Sequence, residues 1–102
     1  MLELRQCCEH CGVDLPPHST NARICSFECT FCAACAEGLL DNICPNCGGN
    51  FCPRPIRPAN AWLGDNSLQK HPPVETKLHR PVDLRRHAAL VERLGQLPPH
   101  KR

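Results

Sequence analysis

Ten cysteines in 102 residues constrain the fold of this chain more than any other feature. Eight of them follow a regular pattern: Cys-x2-Cys, thirteen residues, Cys-x3-Cys-x2-Cys-x2-Cys, eight residues, and Cys-x2-Cys. These are Cys8, Cys11, Cys25, Cys29, Cys32, Cys35, Cys44 and Cys47. Two cysteines with two residues between them can bind one metal ion from a single turn, and four thiolates complete a tetrahedral zinc site. The pattern therefore predicts two bound zinc ions.

The start of the chain favours metal ions over disulfide bonds. It lacks the basic segment and apolar run of a secretory signal, and no apolar stretch approaches the ~20 residues that span a bilayer. Because disulfides belong to oxidising compartments, we expect a reduced, cytoplasmic protein in which Cys-x2-Cys pairs bind metal. Three Phe, one Trp and no Tyr leave little material for an ordinary core, so metal is expected to supply stability.

The two halves of the chain carry opposite charge. Residues 1–52 have two basic and six acidic side chains, a net charge of −4, whereas residues 53–102 have ten basic and four acidic ones, a net charge of +6. Residues 53–58, Pro-Arg-Pro-Ile-Arg-Pro, are typical of an extended, semi-rigid segment. We therefore predict a two-zinc domain at 1–52, a proline-rich extended linker at 53–82 and a basic tail at 83–102.

Apolar residues among the cysteines predict a small core around the metal ions. The expected core residues are Ile24, Phe27 and Phe31. Residues 36–42 predict a helix of about two turns, with Leu39 and Leu40 facing inward. Gly12 follows the first Cys-x2-Cys pair, where a tight turn needs the positive φ that glycine adopts without strain.

The basic tail contains a predicted amphipathic α-helix over residues 84–94. Asp83 precedes it as an N-cap and Gly95 follows it. Its apolar stripe is Leu84, Ala88, Val91 and Leu94. Because a helix of this length is not stable alone, we expect it to dock on the acidic zinc domain or on a partner.

The remaining potential ligands lack metal-binding spacing. His71, His79, His87 and His100 are expected to be solvated. His10 lies inside the first turn and is the alternative to Cys8 as a ligand. Cys7 and Cys52 are expected to be free thiols, although either could replace one of the eight.

The eight cysteines can be divided between two ions in two ways, and their spacing does not separate the two. In the interleaved division, one ion binds Cys8, Cys11, Cys32 and Cys35, and the other binds Cys25, Cys29, Cys44 and Cys47. In the consecutive division, the first four cysteines share one ion and the last four share the other.

The order of the ligands, the Cys-Pro-x-Cys final turn and a short helix after the sixth ligand resemble a RING finger with cysteine at the usual histidine place. The resemblance covers residues 8–47. RING domains use the interleaved division. The resemblance thus implies a small, metal-dominated α+β fold, a RING-like cross-brace with two structural zinc sites, followed here by the linker and the short C-terminal helix.

Four stretches carry a closer resemblance over about residues 1–60. They are Met1-Leu-Glu-Leu-Arg, Asp14-Leu-Pro-Pro, Ala22-Arg-Ile-Cys-Ser-Phe-Glu-Cys-Thr-Phe-Cys and Cys44-Pro-Asn-Cys-Gly-Gly. With them the chain resembles an uncharacterised bacterial cysteine-rich family, the domain of unknown function 1272. This resemblance implies a small RING-like zinc protein and no established activity.

The residues present argue against three more specific functions. RING ubiquitin ligases generally place an apolar residue in the first metal turn, which here holds Glu9 and His10, and a basic residue often stands where this chain has Gly48. A ferredoxin-like iron–sulfur site needs Cys-Pro three residues after its third cysteine, not eight. Thiol redox catalysis needs a βαβ setting, which this sequence lacks.

We therefore expect a non-enzymatic zinc-binding module that mediates protein–protein interaction, in a regulatory role, with a partner that the sequence does not identify. The alternative is a nucleic-acid-associated accessory protein, because residues 53–102 are basic. Against it, the cysteine-rich half is acidic and has no aromatic platform for stacking bases.

Overall fold

A three-stranded antiparallel sheet lies at the centre of the structure, which is a computed structural model describing all residues from 1 to 102. The strands are β1 (Ala22–Ile24), β2 (Thr30–Cys32) and β3 (Cys52–Pro53), in the order β2-β1-β3. One α-helix, α1 (Leu84–Leu94), follows near the C-terminus, before a 3₁₀ turn at Pro99–Lys101. The fold is therefore a small α+β fold, as predicted.

The β1–β2 hairpin places two of the predicted ligands opposite each other. Ile24 pairs with Thr30, so Cys25 and Cys29 are the next facing pair. The Cys25 N–H donates to the Cys29 carbonyl at 3.2 Å, and opposite residues of an antiparallel pair point to the same face. Glu28 makes the tight turn with a φ of 69°.

A short π-helical turn at Ala34–Leu39 occupies the place of the predicted helix. The Leu40 N–H donates to the Cys35 carbonyl at 2.8 Å, five residues back. Leu40 is fully buried, as expected, but Leu39 is 53% exposed. The expectation that both leucines face inward is wrong because a single turn presents only one of them to the core.

The cysteines themselves make up much of the core. Its central cluster is Cys8, Leu15, Ala22, Cys25, Cys29, Phe31, Cys32, Cys35, Ala36, Leu40, Cys44 and Phe51. Phe31 and Phe51 meet edge to face, with ring centroids 5.4 Å apart. Ile24 is also buried, but Phe27 is 71% exposed, so its predicted place in the core is wrong. Phe27 lies at the hairpin tip, outside the cluster.

Two arginines connect residues 53–82 to the start of the chain by hydrogen bonds. Arg54 is buried and donates to the carbonyls of Arg5, Leu15 and Pro16 at 2.5, 3.1 and 2.9 Å. Arg57 donates to the Leu2 carbonyl at 2.8 Å. Each guanidinium satisfies several main-chain acceptors at once, because its five donors lie in a fixed plane.

The chain then runs back along the first Cys-x2-Cys turn. The Val74 N–H donates to the Leu4 carbonyl at 3.0 Å, and the Arg80 N–H donates to the Glu9 carbonyl at 2.8 Å. These contacts join residues about seventy positions apart in the sequence, and they bring the start of α1 beside the Cys-x2-Cys turns.

Helix α1 begins as predicted, because the Asp83 carboxylate accepts from the N–H groups of Arg85 and Arg86 at 3.1 and 3.2 Å. The face of the helix that packs against the rest of the molecule is rotated relative to the predicted apolar stripe. Leu84 is 43% exposed, whereas His87 is buried and its Nε2 donates to the Ile43 carbonyl at 2.7 Å. The prediction of a solvated His87 is therefore wrong.

None of the helices combines the length and apolar character needed to cross a membrane.

We predict that His87→Ala loosens α1 from the rest of the molecule. Loss of the buried donor leaves the Ile43 carbonyl unpaired, which costs about 1–3 kcal/mol. Chemical denaturation should show this loss, and amide hydrogen exchange should speed up across α1. His100→Ala, at an exposed histidine of the same tail, is the control and should change neither. Unchanged exchange in His87→Ala would contradict the docked arrangement.

Candidate metal centre

Four thiols meet at the first candidate site. The sulfur atoms of Cys8, Cys11, Cys32 and Cys35 all lie within 4.8 Å of one another. The first two belong to the Cys-x2-Cys turn near the N-terminus, and the others lie at the end of β2 and in the π-helical turn. The group thus joins two segments of the chain, with Cys11 and Cys32 lying 21 positions apart in the sequence.

Main-chain hydrogen bonds bring these two segments together. The Glu9 N–H donates to the Thr30 carbonyl at 3.0 Å, so the first turn lies alongside β2. Inside this turn, the Gly12 N–H donates to the Cys8 carbonyl at 2.9 Å. Gly12 has a φ of +79°, which confirms the predicted need for glycine.

The spacing of the sulfur atoms fits a tetrahedral metal ion. Zinc–sulfur bonds of about 2.3 Å at tetrahedral angles place two ligand sulfurs about 3.8 Å apart. The Cys11 and Cys32 sulfur atoms lie 3.8 Å apart. All four donors are thiols, the ligand set of closed structural zinc sites, so the residues present fit a zinc ion.

Three thiols form the second candidate site, and a fourth lies beside them. The sulfur atoms of Cys25, Cys44 and Cys47 lie within 4.8 Å of one another. Cys29 stands outside that group; burial raises the pKa of its thiol, and the nearby thiols of Cys25 and Cys44 also shift it. The structure therefore shows two cysteine groups that could hold metal ions.

The turn at Cys44 repeats the geometry of the turn at Cys8. The Gly48 N–H donates to the Cys44 carbonyl at 2.8 Å, and Gly48 has a φ of +80°. Main-chain N–H groups also point at the sulfurs: Asn46 donates to Cys44 at 3.4 Å, and Cys11 donates to Cys8 at 3.5 Å. Such donors stabilise thiolates, the form that binds metal.

The electrostatics of the groups agree with a cation at their centre. Burial raises the pKa of the Cys35 thiol far above its usual range, and the neighbouring Cys32 and Cys8 sulfurs raise it further. Burial raises the pKa of Cys44 in the same way, with the charges of Cys29 and Cys25 adding to it. Four such thiols can be ionised together when a divalent cation offsets their repulsion.

A buried carboxylate connects the two candidate sites. Glu9 lies between the first two ligands, and only 4% of its side chain is exposed. Its Oε2 accepts from the Asn46 amide at 2.9 Å, within the turn that holds Cys44 and Cys47. Arg80 also reaches this oxygen, at 3.4 Å. Nothing in the nearby sequence indicates this role of Glu9, because its partners are 37 and 71 positions away.

The other potential ligands lie outside both groups. Cys7 is buried, and its thiol contacts the Leu78 carbonyl at 3.5 Å. Cys52 is exposed on β3. His10 turns towards the tail, where its Nδ1 accepts from the Val82 N–H at 2.9 Å.

Replacing a grouped cysteine should unfold the protein, whereas replacing Cys52 should not. A structural zinc site contributes roughly 10–16 kcal/mol in small domains, as much as the whole stability of an ordinary domain, about 5–15 kcal/mol. We expect Cys35→Ser and Cys44→Ser to lose metal and the dispersion of their amide NMR signals.

The matched control is Cys52→Ser, the same substitution at an exposed thiol, which should keep both the bound metal and the dispersed spectrum. A folded, metal-loaded Cys35→Ser would contradict the site, and a collapsed Cys52→Ser would show that the wrong cysteines have been grouped.

Comparison with known proteins places this arrangement in a family. Residues 1–57 match the family described as Protein of unknown function (DUF1272). An uncharacterised protein of Rhizobium meliloti (strain 1021) is 51% identical over 81 residues, which is 79% of this chain and 89% of the relative. No solved structure matches the chain. The chain thus belongs to the DUF1272 family, and both cysteine groups lie within the matched residues.

Proposed function

We propose that this protein is a non-enzymatic, RING-like module in which two structural zinc ions hold together a surface for binding another protein. The observation that carries the proposal is the meeting of Cys8 and Cys11 with Cys32 and Cys35. Because this group skips Cys25 and Cys29, it supports the interleaved division of ligands over the consecutive one.

For the second ion we propose Cys29 as the fourth ligand, beside Cys25, Cys44 and Cys47. Cys29 faces Cys25 across the hairpin, where the Cys25 N–H donates to the Cys29 carbonyl at 3.2 Å. A small movement of this side chain would complete a second set of four thiolates. The two ions would then be interleaved along the chain in a cross-brace.

The ligand sets support a structural role for the metal over a catalytic one. A catalytic zinc keeps one coordination position for water or substrate, whereas four cysteines fill every position. Zinc suits these sites better than an iron–sulfur cluster, because the ligands come from separate turns and lack the ferredoxin spacing. The metal supplies rigidity, and the chain's own side chains supply recognition.

An interaction role is supported by large apolar side chains at the surface. Phe27 is 71% exposed, Trp62 79% and Leu63 77%. Aromatic residues are enriched in protein–protein interfaces. We propose that the module works in the cytoplasm, where its thiols stay reduced and available for zinc.

Purified protein should contain two zinc ions per chain and should be colourless. Elemental analysis under non-denaturing conditions gives the ratio. Replacement of zinc by Co²⁺ should produce the strong visible absorption of cobalt held by tetrahedral thiolates. Iron in the analysis, or a coloured protein as isolated, would contradict the zinc assignment.

Cys29→Ser should lower the zinc content below two ions per chain and disturb the fold, as Cys44→Ser does. The reason is that Cys29 and Cys44 belong to the same proposed set of ligands. Zinc content and cobalt absorption should be measured beside Cys52→Ser, which should keep two ions. Two tightly held ions in Cys29→Ser would remove Cys29 from the ligand set.

A further inference from the structure

Free positive charge is concentrated on α1. Arg85, Arg86 and Arg93 are exposed, and none of them forms an ion pair. In contrast, the acidic side chains of the first half are largely paired within the molecule. The paired carboxylates are Glu3, Glu9, Asp14 and Glu37. The helix therefore offers unused guanidinium groups to a negatively charged partner.

A cleft of about 470 Å³ lies where the first turn of α1 meets the two metal-binding turns. Pro45, Val82 and Leu90 supply its apolar lining, and Arg80 and Arg86 line it as well. Arg86 is thus shared between the cleft and the exposed surface of the helix. Arg93 stands two helical turns further along, close to the same side, because seven residues nearly complete two turns.

We propose that this cleft and the adjoining arginines of α1 bind an acidic peptide segment of a partner protein. The proposal rests on the proposed interaction function and names its surface and the chemistry of its partner. Carboxylates of the peptide would pair with Arg86 and Arg93, whose planar guanidinium groups match a carboxylate with two parallel hydrogen bonds. Apolar side chains between these carboxylates would enter the cleft.

The lining favours a peptide over a nucleic-acid strand. Asp83 also lines the cleft, and its carboxylate repels a backbone that is charged at every unit. The charges of a peptide are further apart than those of a nucleic-acid backbone, and its amide N–H groups can donate hydrogen bonds to a carboxylate. No Phe, Tyr or Trp lines the cleft, whereas single strands bind by stacking bases on such rings.

The test uses the full-length, zinc-loaded protein and a labelled peptide that alternates Glu with Leu. Fluorescence anisotropy measures its affinity beside a Gln–Leu peptide of equal length and a single-stranded DNA of equal charge. The variants are Arg86→Glu, Arg93→Glu and, as the matched control, Lys70→Glu. Lys70 is exposed on another surface, beside Met1 and Val74, and its variant changes the net charge by the same amount.

We expect the Glu–Leu peptide to bind more tightly than either comparison ligand. Arg86→Glu and Arg93→Glu should each weaken peptide binding roughly tenfold, because each variant removes a complementary charge and adds a repelling one. Lys70→Glu should weaken peptide binding less than about twofold, because its charge acts only over a long, screened distance. If Lys70→Glu weakened peptide binding as much as the two arginine variants, the change in net charge alone would explain all three results, and the proposal would be overturned.

Tighter binding of the DNA would assign the surface to nucleic acid, and absence of peptide binding would also overturn the inference. Zinc analysis of the same samples separates these results from a failure of the proposed metal module. If two zinc ions are present without peptide binding, only the partner assignment is wrong.

Discussion

The meeting of cysteine sulfur atoms from distant turns is the constraint on which this structure depends. The strands have two or three residues each, and a sheet of that size does not stand alone in water. The strands are connected to both cysteine groups: β2 ends at Cys32, of the first group, and the β1–β2 turn carries Cys25, of the second, with Cys29 opposite it. An ion bound by sulfurs from separate turns would tie these turns together, and metal would then replace an ordinary apolar core in so short a chain.

The second half of the chain is packed against these turns through their glycines. A Cβ atom at Gly12 would lie 3.2 Å from the His79 ring, and one at Gly48 would lie 3.2 Å from the Leu94 side chain. The same two residues need positive φ to close the turns. Each glycine therefore serves both its Cys-x2-Cys turn and the close approach of the tail, so tail docking depends on well-formed turns. Glu9 and Asn46 add a polar connection between the two turns.

The sequence predicted the Cys-x2-Cys turns well because their geometry is local. Cys-x2-Cys spacing with a following glycine describes one turn, and the Asp83 cap likewise depends on its immediate neighbours. The failures were long-range. His87, which was expected to be solvated, is buried because its partner is the carbonyl of Ile43. Arg54, whose burial the sequence did not predict in either direction, donates to the carbonyl of Leu15, and nothing in the nearby sequence marks either acceptor. For Phe27 the error is the reverse: this apolar residue was predicted to be in the core, but it is exposed because it lies at the tip of the hairpin.

The most direct test of the central claim is NMR of the protein loaded with ¹¹³Cd, which occupies thiolate zinc sites and couples to the Hβ protons of its cysteine ligands. The interleaved account predicts two cadmium resonances. One should couple to Cys8, Cys11, Cys32 and Cys35, and the other to Cys25, Cys29, Cys44 and Cys47. A single resonance, or one coupled to Cys8, Cys11, Cys25 and Cys29, would contradict it.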